Sequence, residues 1–313
     1  MSKAEVAVMG SFIVDLMARA PRLPEHGETV KGSHFQIGPG GKGSNQGVAA
    51  SRSGASVTMI TKIGADEFAR IALESFKREG MDTRYVMQDE RYPTGTALIM
   101  VDEHTSENMI VVTIGACEHI ALEEIETARA QIENSRVLLT QLETNLDAVE
   151  RAVEIAHAKG IKVILNPAPA PLNPLSDNLL EKVDIITPNE TEASLLSGVK
   201  VVNMDDAKHA ARILKAKGIG HVIITMGSKG ALVLTDSMEY IVDPIRVKVV
   251  DTTGAGDAFN GGLATALAEG LDIVQAVAFA NATGALSVTR IGTAPAMPYR
   301  DEIEKLLKGM RSL

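Results

Sequence analysis

Short apolar runs closed by glycine alternate along this chain with segments whose apolar positions recur at helical spacing. EVAVMG (5–10) and SVTMITKIG (56–64) have the unbroken apolar character of buried strands, whereas DEFARIALESFKREG (66–80) is an amphipathic helix ending at Gly80. SNQGVAASRSG (44–54) is helical between them. From residue 121 the rhythm is regular. ALEEIETARAQIENS, TNLDAVERAVEIAHAKG, LSDNLLEKV, NETEASLLSG and MDDAKHAARILKAKG predict helices; RVLLTQL, KVILN, DIITP, HVIITMG and GALVLT predict strands. Two long helices are expected after Gly256. Such alternation predicts an α/β fold, a doubly wound parallel sheet with helices on both faces.

Two stretches break the rhythm. SFIVDLMARAPRLPEHGETVKGSHFQIG (11–38) alternates weakly and carries Pro21, Pro24 and Gly27, which suits short strands and a turn. TGTALIMVDEHTSENMIVVTIG (94–115) reads as a hairpin with polar DEHTSEN at its tip. These two insertions, about 13–37 and 94–113, are expected to join as a small β-sheet lid at the edge of the main sheet. No repeat, low-complexity segment or flexible linker divides the chain, so residues 1–313 are read as a single domain.

Composition narrows the tasks open to such a fold. A net charge of −9 and a pI near 5.4 argue against nucleic acid or an anionic membrane as the main partner. Any phosphate must therefore be held by local backbone dipoles. The single Cys117 excludes an internal disulfide and fits a reducing compartment. MSKAEVAVMG has no signal-peptide apolar core and no run approaches bilayer length, so a cytoplasmic location is expected.

The chemistry concentrates in DTTGAGDAFNGG (251–262). Gly254, Ala255 and Gly256 leave room for backbone N–H groups to close on a phosphate, and the helix predicted after them points its positive end the same way. Asp257 is either a solvated N-cap or a general base, with a substrate hydroxyl between its carboxylate and the transferring phosphate. GPGGKGSNQ (38–46) matches G-x-G-x-x-G, but VTMITK stands where a dinucleotide fold needs its acidic residue. Gly43 after Lys42 rules out a P-loop. What remains is a backbone-exposing turn that could wrap a polyhydroxy substrate, or a plain helix-opening turn. In ITPNETEA (186–193), Asn189 and Glu192 lie at i and i+3, suited to hydrated Mg²⁺ and phosphate or to a capping box. TMGSKG (225–230) reads as a nucleotide-contacting turn or a hairpin loop. Glu143 and Asp15 fall at the sheet edge where α/β folds place ligands.

In combination, GSFIVD, GGKGSNQ, QLE, NPAPA, PNETE, TMGSKG and VVDTTGAGDAFNG resemble the ribokinase-like family of carbohydrate kinases over residues 5 to 300. The resemblance implies transfer of the ATP γ-phosphate to the primary 5-hydroxyl of a pentose, and a homodimer formed through the lid. It implies Asp257 as base over the Gly254, Ala255 and Gly256 anion hole. Asp15, Gly41, Lys42, Asn45 and Glu143 would grip the sugar. Asn189, Thr225, Gly227, Ser228, Gly230, Gly256 and Asn281 would line the nucleotide site, with Glu192 acting on Mg²⁺ through water. A potassium ion would lie by Asp251 and Thr253, with Ser287, Arg290 and Gly292 as further contributors. Three departures stand out: Ile13 where an Asn is usual, Cys117 where an Asn occurs in related lids, and Ala296 where a polar residue can occur. Ile13 is apolar as in deoxyribokinases, so 2-deoxyribose stands beside D-ribose as acceptor, with hexoses and nucleosides behind. A nicotinamide-dependent oxidoreductase is disfavoured by the misplaced glycine motif, and a silent sensor by the intact Asp257 turn. The low aromatic content, 3%, tilts against a nucleoside acceptor.

Overall fold

A computed structural model describes residues 4–105 and 107–310. Among these described residues thirteen strands run β1 (Glu5–Met9), β2 (Ile13–Ala20), β3 (His34–Gly40), β4 (Ser56–Gly64), β5 (Asp82–Asp89), β6 (Gly95–Asp102), β7 (Asn108–Thr113), β8 (Val137–Thr140), β9 (Lys162–Leu165), β10 (Ile185–Ile186), β11 (His221–Thr225), β12 (Ala231–Leu234) and β13 (Glu239–Val242). The helices are α1 (Lys42–Ser53), α2 (Glu67–Arg78), α3 (Leu122–Thr127), α4 (Arg129–Asn134), α5 (Leu146–Ala158), α6 (Asp177–Leu180), α7 (Glu190–Ser197), α8 (Met204–Lys215), α9 (Ala255–Ala268), α10 (Ile273–Ser287) and α11 (Arg300–Met310).

Nine strands form the main sheet in the order β13-β12-β11-β10-β9-β8-β1-β4-β5. It is parallel from β5 to β11, and β12 and β13 add an antiparallel edge. The apolar runs EVAVM and VLLT explain the two-sided burial. Val6, Val8, Val137 and Leu139 face one apolar cluster, with Phe76 of α2, Leu263 of α9 and Val277 of α10. Ala7, Met9 and Leu138 face the other, with Ile132 of α4, Ile155 of α5 and Ala210 of α8. Chain order runs outward from β1 both ways, to β4 on one side and β8 on the other. The loops leaving β1 and β8 therefore diverge and open a crevice at the carboxyl ends of the strands.

The two insertions build a separate four-stranded sheet, β3-β2-β6-β7. β2 is parallel to β6 and antiparallel to β3, and β6 and β7 form the expected hairpin. Asp102 caps its turn by accepting hydrogen bonds from the backbone of His104 and Thr105. Ser106, within the predicted tip, lies outside the described residues, as do residues 1–3. No helix among the described residues is long and apolar enough to cross a membrane.

The helix expected over 121–135 is divided at Ala128 into α3 and α4. The Thr127 hydroxyl donates to the Glu124 carbonyl at 2.6 Å, a local bond that competes with helical continuation. β5, β13 and α11 were not anticipated. β5 and β13 are sheet edges whose half-buried residues interleave with charged and polar ones, which blurs the apolar signal.

One close approach positions everything that follows. A Cβ on Gly261 of α9 would lie 2.5 Å from Ala49 Cβ and 2.6 Å from the Gln46 carbonyl oxygen of α1, so the two helices touch backbone to backbone. Gly261→Ala must push them apart. Overpacking of this kind costs about 1–3 kcal/mol, so urea unfolding of the variant should show a lower midpoint with an unchanged slope.

Candidate active site

The crevice at the β1/β8 divergence is built by glycine-dependent contacts. Gly43, in the first turn of α1, sits so close to the end of β1 that a Cβ there would lie 2.6 Å from Gly10 C and Ser11 N. Ser44 N donates to Ser11 O at 2.8 Å, closing the joint. Gly41 is the N-cap of α1 at φ 86°, a left-handed conformation that favours glycine. These contacts bring Lys42, Asn45 and Gln46 over the N-terminus of α9.

Gly254, at φ 77°, is the N-cap of α9, and Asp257 is one turn in. Asp257 is therefore not the helix cap. It is a buried carboxylate, 7% exposed, that accepts from Asn45 Nδ2 at Oδ2 (3.1 Å) and from Gln46 Nε2 at Oδ1 (3.0 Å). Burial pushes its pKa up, opposed by the Lys42 charge and by the two amide donors. Burial would lower the Lys42 pKa, but the carboxylates of Asp257, Glu143 and Glu192 hold it above its ordinary value. Gly254, Ala255 and Gly256 form the turn into the helix, whose first amides have no partner inside it; Ala255 N reaches back to Thr252 O at 3.3 Å.

Glu143, three residues beyond β8, accepts from Ser11 Oγ at 2.5 Å and from Lys42 N at 2.8 Å. Asp15 lies over Gly40, where a Cβ would come within 2.4 Å of its carboxylate oxygens. Its pKa is pushed up to about 6 by burial and then by the charges of Glu143 and Asp257. Asn45 Oδ1 is buried with no hydrogen-bond partner, an acceptor left free beside the Asp257 carboxylate that its Nδ2 contacts. Asp15, Lys42, Asn45, Glu143 and Asp257 are thus one constellation, able to pair several hydroxyls of a compact polar ligand.

Ile13 precedes Asp15 by two residues on β2, and the pair share a face. A Cβ on Gly95 would lie 2.6 Å from Ile13 Cδ1, and one on Gly41 would lie 3.1 Å from its Cγ1. Val14, on the opposite face, packs into the apolar core. Cys117 is fully buried at the edge of this region, its Sγ 3.0 Å from Lys62 O. Burial pushes its thiol up in pKa, so it stays protonated.

Beyond the α9 turn lies a cavity of about 960 Å³ lined by Asn189, Thr225, Gly227, Ser228, Gly230, Gly256 and Asn281, all named from the sequence as nucleotide-site residues. TMGSKG is a hairpin loop between β11 and β12, and it also borders this cavity. Ile245, Val247 and Val249, which are not among the site residues expected from the sequence, give the cavity an apolar wall together with Ala285 and Val288. Their alternation was the available signal, but the segment forms no strand. Asn281 Nδ2 donates to Asp243 O at 2.8 Å and holds it against α10.

Asn189 and Glu192 form a full capping box on α7. Asn189 Oδ1 accepts from Glu192 N at 2.9 Å, and the Glu192 carboxylate accepts from Asn189 N and Nδ2. Glu192 is nevertheless buried toward Lys42 and Asp257, and burial holds its pKa above the usual value. At the far side of the α9 turn, Asp251 accepts from Thr253 N and Gly292 N, both at 2.9 Å. Burial alone would raise its pKa, but these amides bring it below the ordinary value and keep the carboxylate charged. Ser287 Oγ donates to Gly284 O. The Arg290 guanidinium turns away to Glu302, so only its main chain is left for an ion beside Asp251. Ala296 is buried and offers no side-chain oxygen. Among the described residues, no cluster of three or more His, Cys, Asp or Glu could hold a metal ion. The oxygens at Asp251 suit a weakly held hard cation better than a transition metal.

Residues 3–300 match the model of the pfkB family carbohydrate kinases. The chain is 43% identical over 303 residues to a ribokinase of Haemophilus influenzae, covering 97% of this chain and 98% of the relative. It is 38% identical over the same length to a deoxyribokinase of Salmonella typhi, with the same coverage. Among solved structures, a ribokinase of Arabidopsis thaliana complexed with ribose and ATP superposes with a TM-score of 0.88 at 29% identity, covering 98% of this chain and 99% of that one. With a family model matched over nearly its whole length and relatives 43% and 38% identical to it, this chain belongs to the pfkB family of carbohydrate kinases.

Proposed function

We propose that this enzyme transfers the γ-phosphate of ATP to the primary 5-hydroxyl of D-ribose, with residues 1–313 acting as one unit and the small sheet as its lid. The observation that carries the reading is Asp257, buried one turn into α9 with both carboxylate oxygens held by amide donors. In this reading Asp15, Gly41, Lys42, Asn45 and Glu143 fix the sugar so that its 5-hydroxyl points at Asp257. Asp257 takes the proton as the oxygen attacks phosphorus, and the amides of the Gly254–Gly256 turn meet the charge that gathers on the phosphoryl oxygens. The base of ATP lies against Ile245, Val247 and Val249, and Thr225, Gly227, Ser228, Gly230 and Asn281 border the nucleotide. Asn189 and Glu192 would hold hydrated Mg²⁺, which would supply charge neutralisation at the phosphates. Potassium beside Asp251 and the backbone of Thr253 would steady the turn from outside. The lid excludes water and suppresses ATP hydrolysis.

Asp257→Asn keeps the shape and removes the proton acceptor. Turnover should fall roughly 10²–10⁴-fold in a coupled assay of ADP release, with far-ultraviolet circular dichroism unchanged. Near-full activity in that variant would exclude Asp257 as the base.

A second acceptor is favoured by one observation, the position of Ile13 on the Asp15 face of β2. An apolar side chain there leaves a sugar hydroxyl unpaired, at about 1–3 kcal/mol, which favours 2-deoxyribose. The assay should therefore compare kcat/KM for ribose and 2-deoxyribose, with and without potassium. A higher value for ribose supports the first reading, and a deoxyribose lead of about tenfold or more replaces it. In the second case Ile13→Asn should move the preference back toward ribose by about tenfold.

The exposed apolar residues on one side of the small sheet, Phe35, Ile37, Leu98 and Val111, form a face that a second copy of the chain would cover. Sedimentation should give a dimer, and Val111→Lys should shift it to monomer. A wild-type monomer at assay concentrations would reject this.

A further inference from the structure

The carboxylate proposed as the base is held by a side chain that the reaction does not touch. Gln46 of α1 is fully buried, and every hydrogen-bonding group of its carboxamide is committed. Nε2 donates one hydrogen to Asp257 Oδ1 at 3.0 Å and the other to Asn166 Oδ1 at 2.9 Å. Oε1 accepts from Gln141 Nε2 at 2.7 Å. This arrangement permits one orientation of the amide. Rotating it by half a turn would set Oε1 against two other acceptor oxygens, while Nε2 faced the Gln141 donor. Gln141 is itself confined in the loop leaving β8, because a Cβ on Gly10 would lie 2.0 Å from its Oε1.

The same network continues to the other reacting end of the site. Asn166 Nδ2 donates to Thr187 O at 3.1 Å, and Thr187 Oγ1 bonds Asn260 Oδ1 at 2.7 Å. Asn260 Nδ2 then donates to Gly256 O at 2.9 Å, in the turn proposed as the anion hole. A chain of side chains, Gln46, Asn166, Thr187 and Asn260, thus runs from the carboxylate to the Gly256 carbonyl. Such chains have two uses: they fix geometry, and their partners polarise one another.

We infer that Gln46 is a positioning residue for phosphoryl transfer: its locked carboxamide sets the plane of the Asp257 carboxylate relative to the Gly254–Gly256 turn. The inference rests on the reading of Asp257 as the base. Asn45 holds the second oxygen, so with Gln46 present the carboxylate has one plane. Without Gln46, Oδ1 loses its donor, and Asn45 and Lys42 alone are left to offset burial and the neighbouring acids. Lys42 of α1 favours the anion; Asp15 of β2, Glu143 of the loop after β8 and Glu192 of α7 disfavour it. The carboxylate then becomes both less well aimed and harder to ionise.

Gln46→Met keeps the length and removes the donor, while Gln46→Glu keeps the shape and sets an acid beside the base. Each should be assayed for kcat, for KM of sugar and of ATP, and for kcat against pH, with a thermal melt to establish folding. Expected for Gln46→Met is a kcat loss of about tenfold or more, KM values within about threefold, and an acid limb displaced about one pH unit upward. Gln46→Glu should displace the limb further, because a like charge adds to the lost donor. Gln141→Met, which loosens the lock without touching Asp257, should show the same direction with a smaller effect. A folded Gln46 variant with kcat within twofold and an unmoved limb overturns the inference. So does an equal loss in both Gln46 variants without any limb displacement, which is the signature of general damage. If Gln46→Met does not fold, the isosteric Gln46→Glu decides alone by the same criteria. Asp257→Asn separates the two levels. Its inactivity beside an unaffected Gln46→Met removes Gln46 alone, whereas its near-full activity removes the base reading on which Gln46 depends.

Discussion

A carboxylate buried at a helix start exists only by balance. Withdrawal from water disfavours the charge on Asp257, and the neighbouring acids Glu143, Asp15 and Glu192 add to that. Lys42, two side-chain amides and the positive end of α9 oppose it. Most of the molecule can be understood as the means of keeping these opposing groups within reach of one another. The reversal of strand order at β1 opens the crevice, Gly43 lets α1 begin against the end of β1, and Gly261 lets α1 and α9 meet without side chains between them. The side chains that stabilise the anion therefore arrive from α1, while those that oppose it come from β2, the loop after β8 and α7.

Much of this could be read from the chain in order, because the strongest signals are local. The apolar runs at β1, β4 and β11 and the amphipathic pattern of α2, α5 and α8 are consequences of two-sided burial on a parallel sheet. The turn before α9 was visible because small residues and a following helical pattern leave few alternatives. What stayed hidden depends on position in space. Whether Asp257 capped its helix or entered it depends on Gly254 taking the N-cap, which no spacing rule determines. That Gln46 would meet Asp257, Asn166 and Gln141 depends on four segments far apart in sequence. A glutamine in a short glycine-rich motif otherwise reads as ordinary helix interior. Ile245, Val247 and Val249 line the cavity from a segment that forms no strand, so their alternation points to an element that is not there and says nothing of a cavity.

Asn189 and Glu192 show why competing readings of one motif need not exclude each other. The capping box is present in full, yet the same carboxylate is buried toward the charges of the crevice. A helix cap fixes both side chains in space, and a fixed carboxylate is what an electrostatic role requires.

The glycine joints carry a thermodynamic consequence of their own. Glycine loses more conformational freedom on folding than any other residue, so Gly43 and Gly261 make the crevice costly in chain entropy. At neither position is there room for a side chain whose burial would offset that loss. The order of this region must be underwritten from outside it, by apolar residues such as Val8, Phe76, Leu139 and Leu263 that never approach a ligand. Substitutions in that core should then be felt first as looseness in the crevice, well before the fold as a whole gives way.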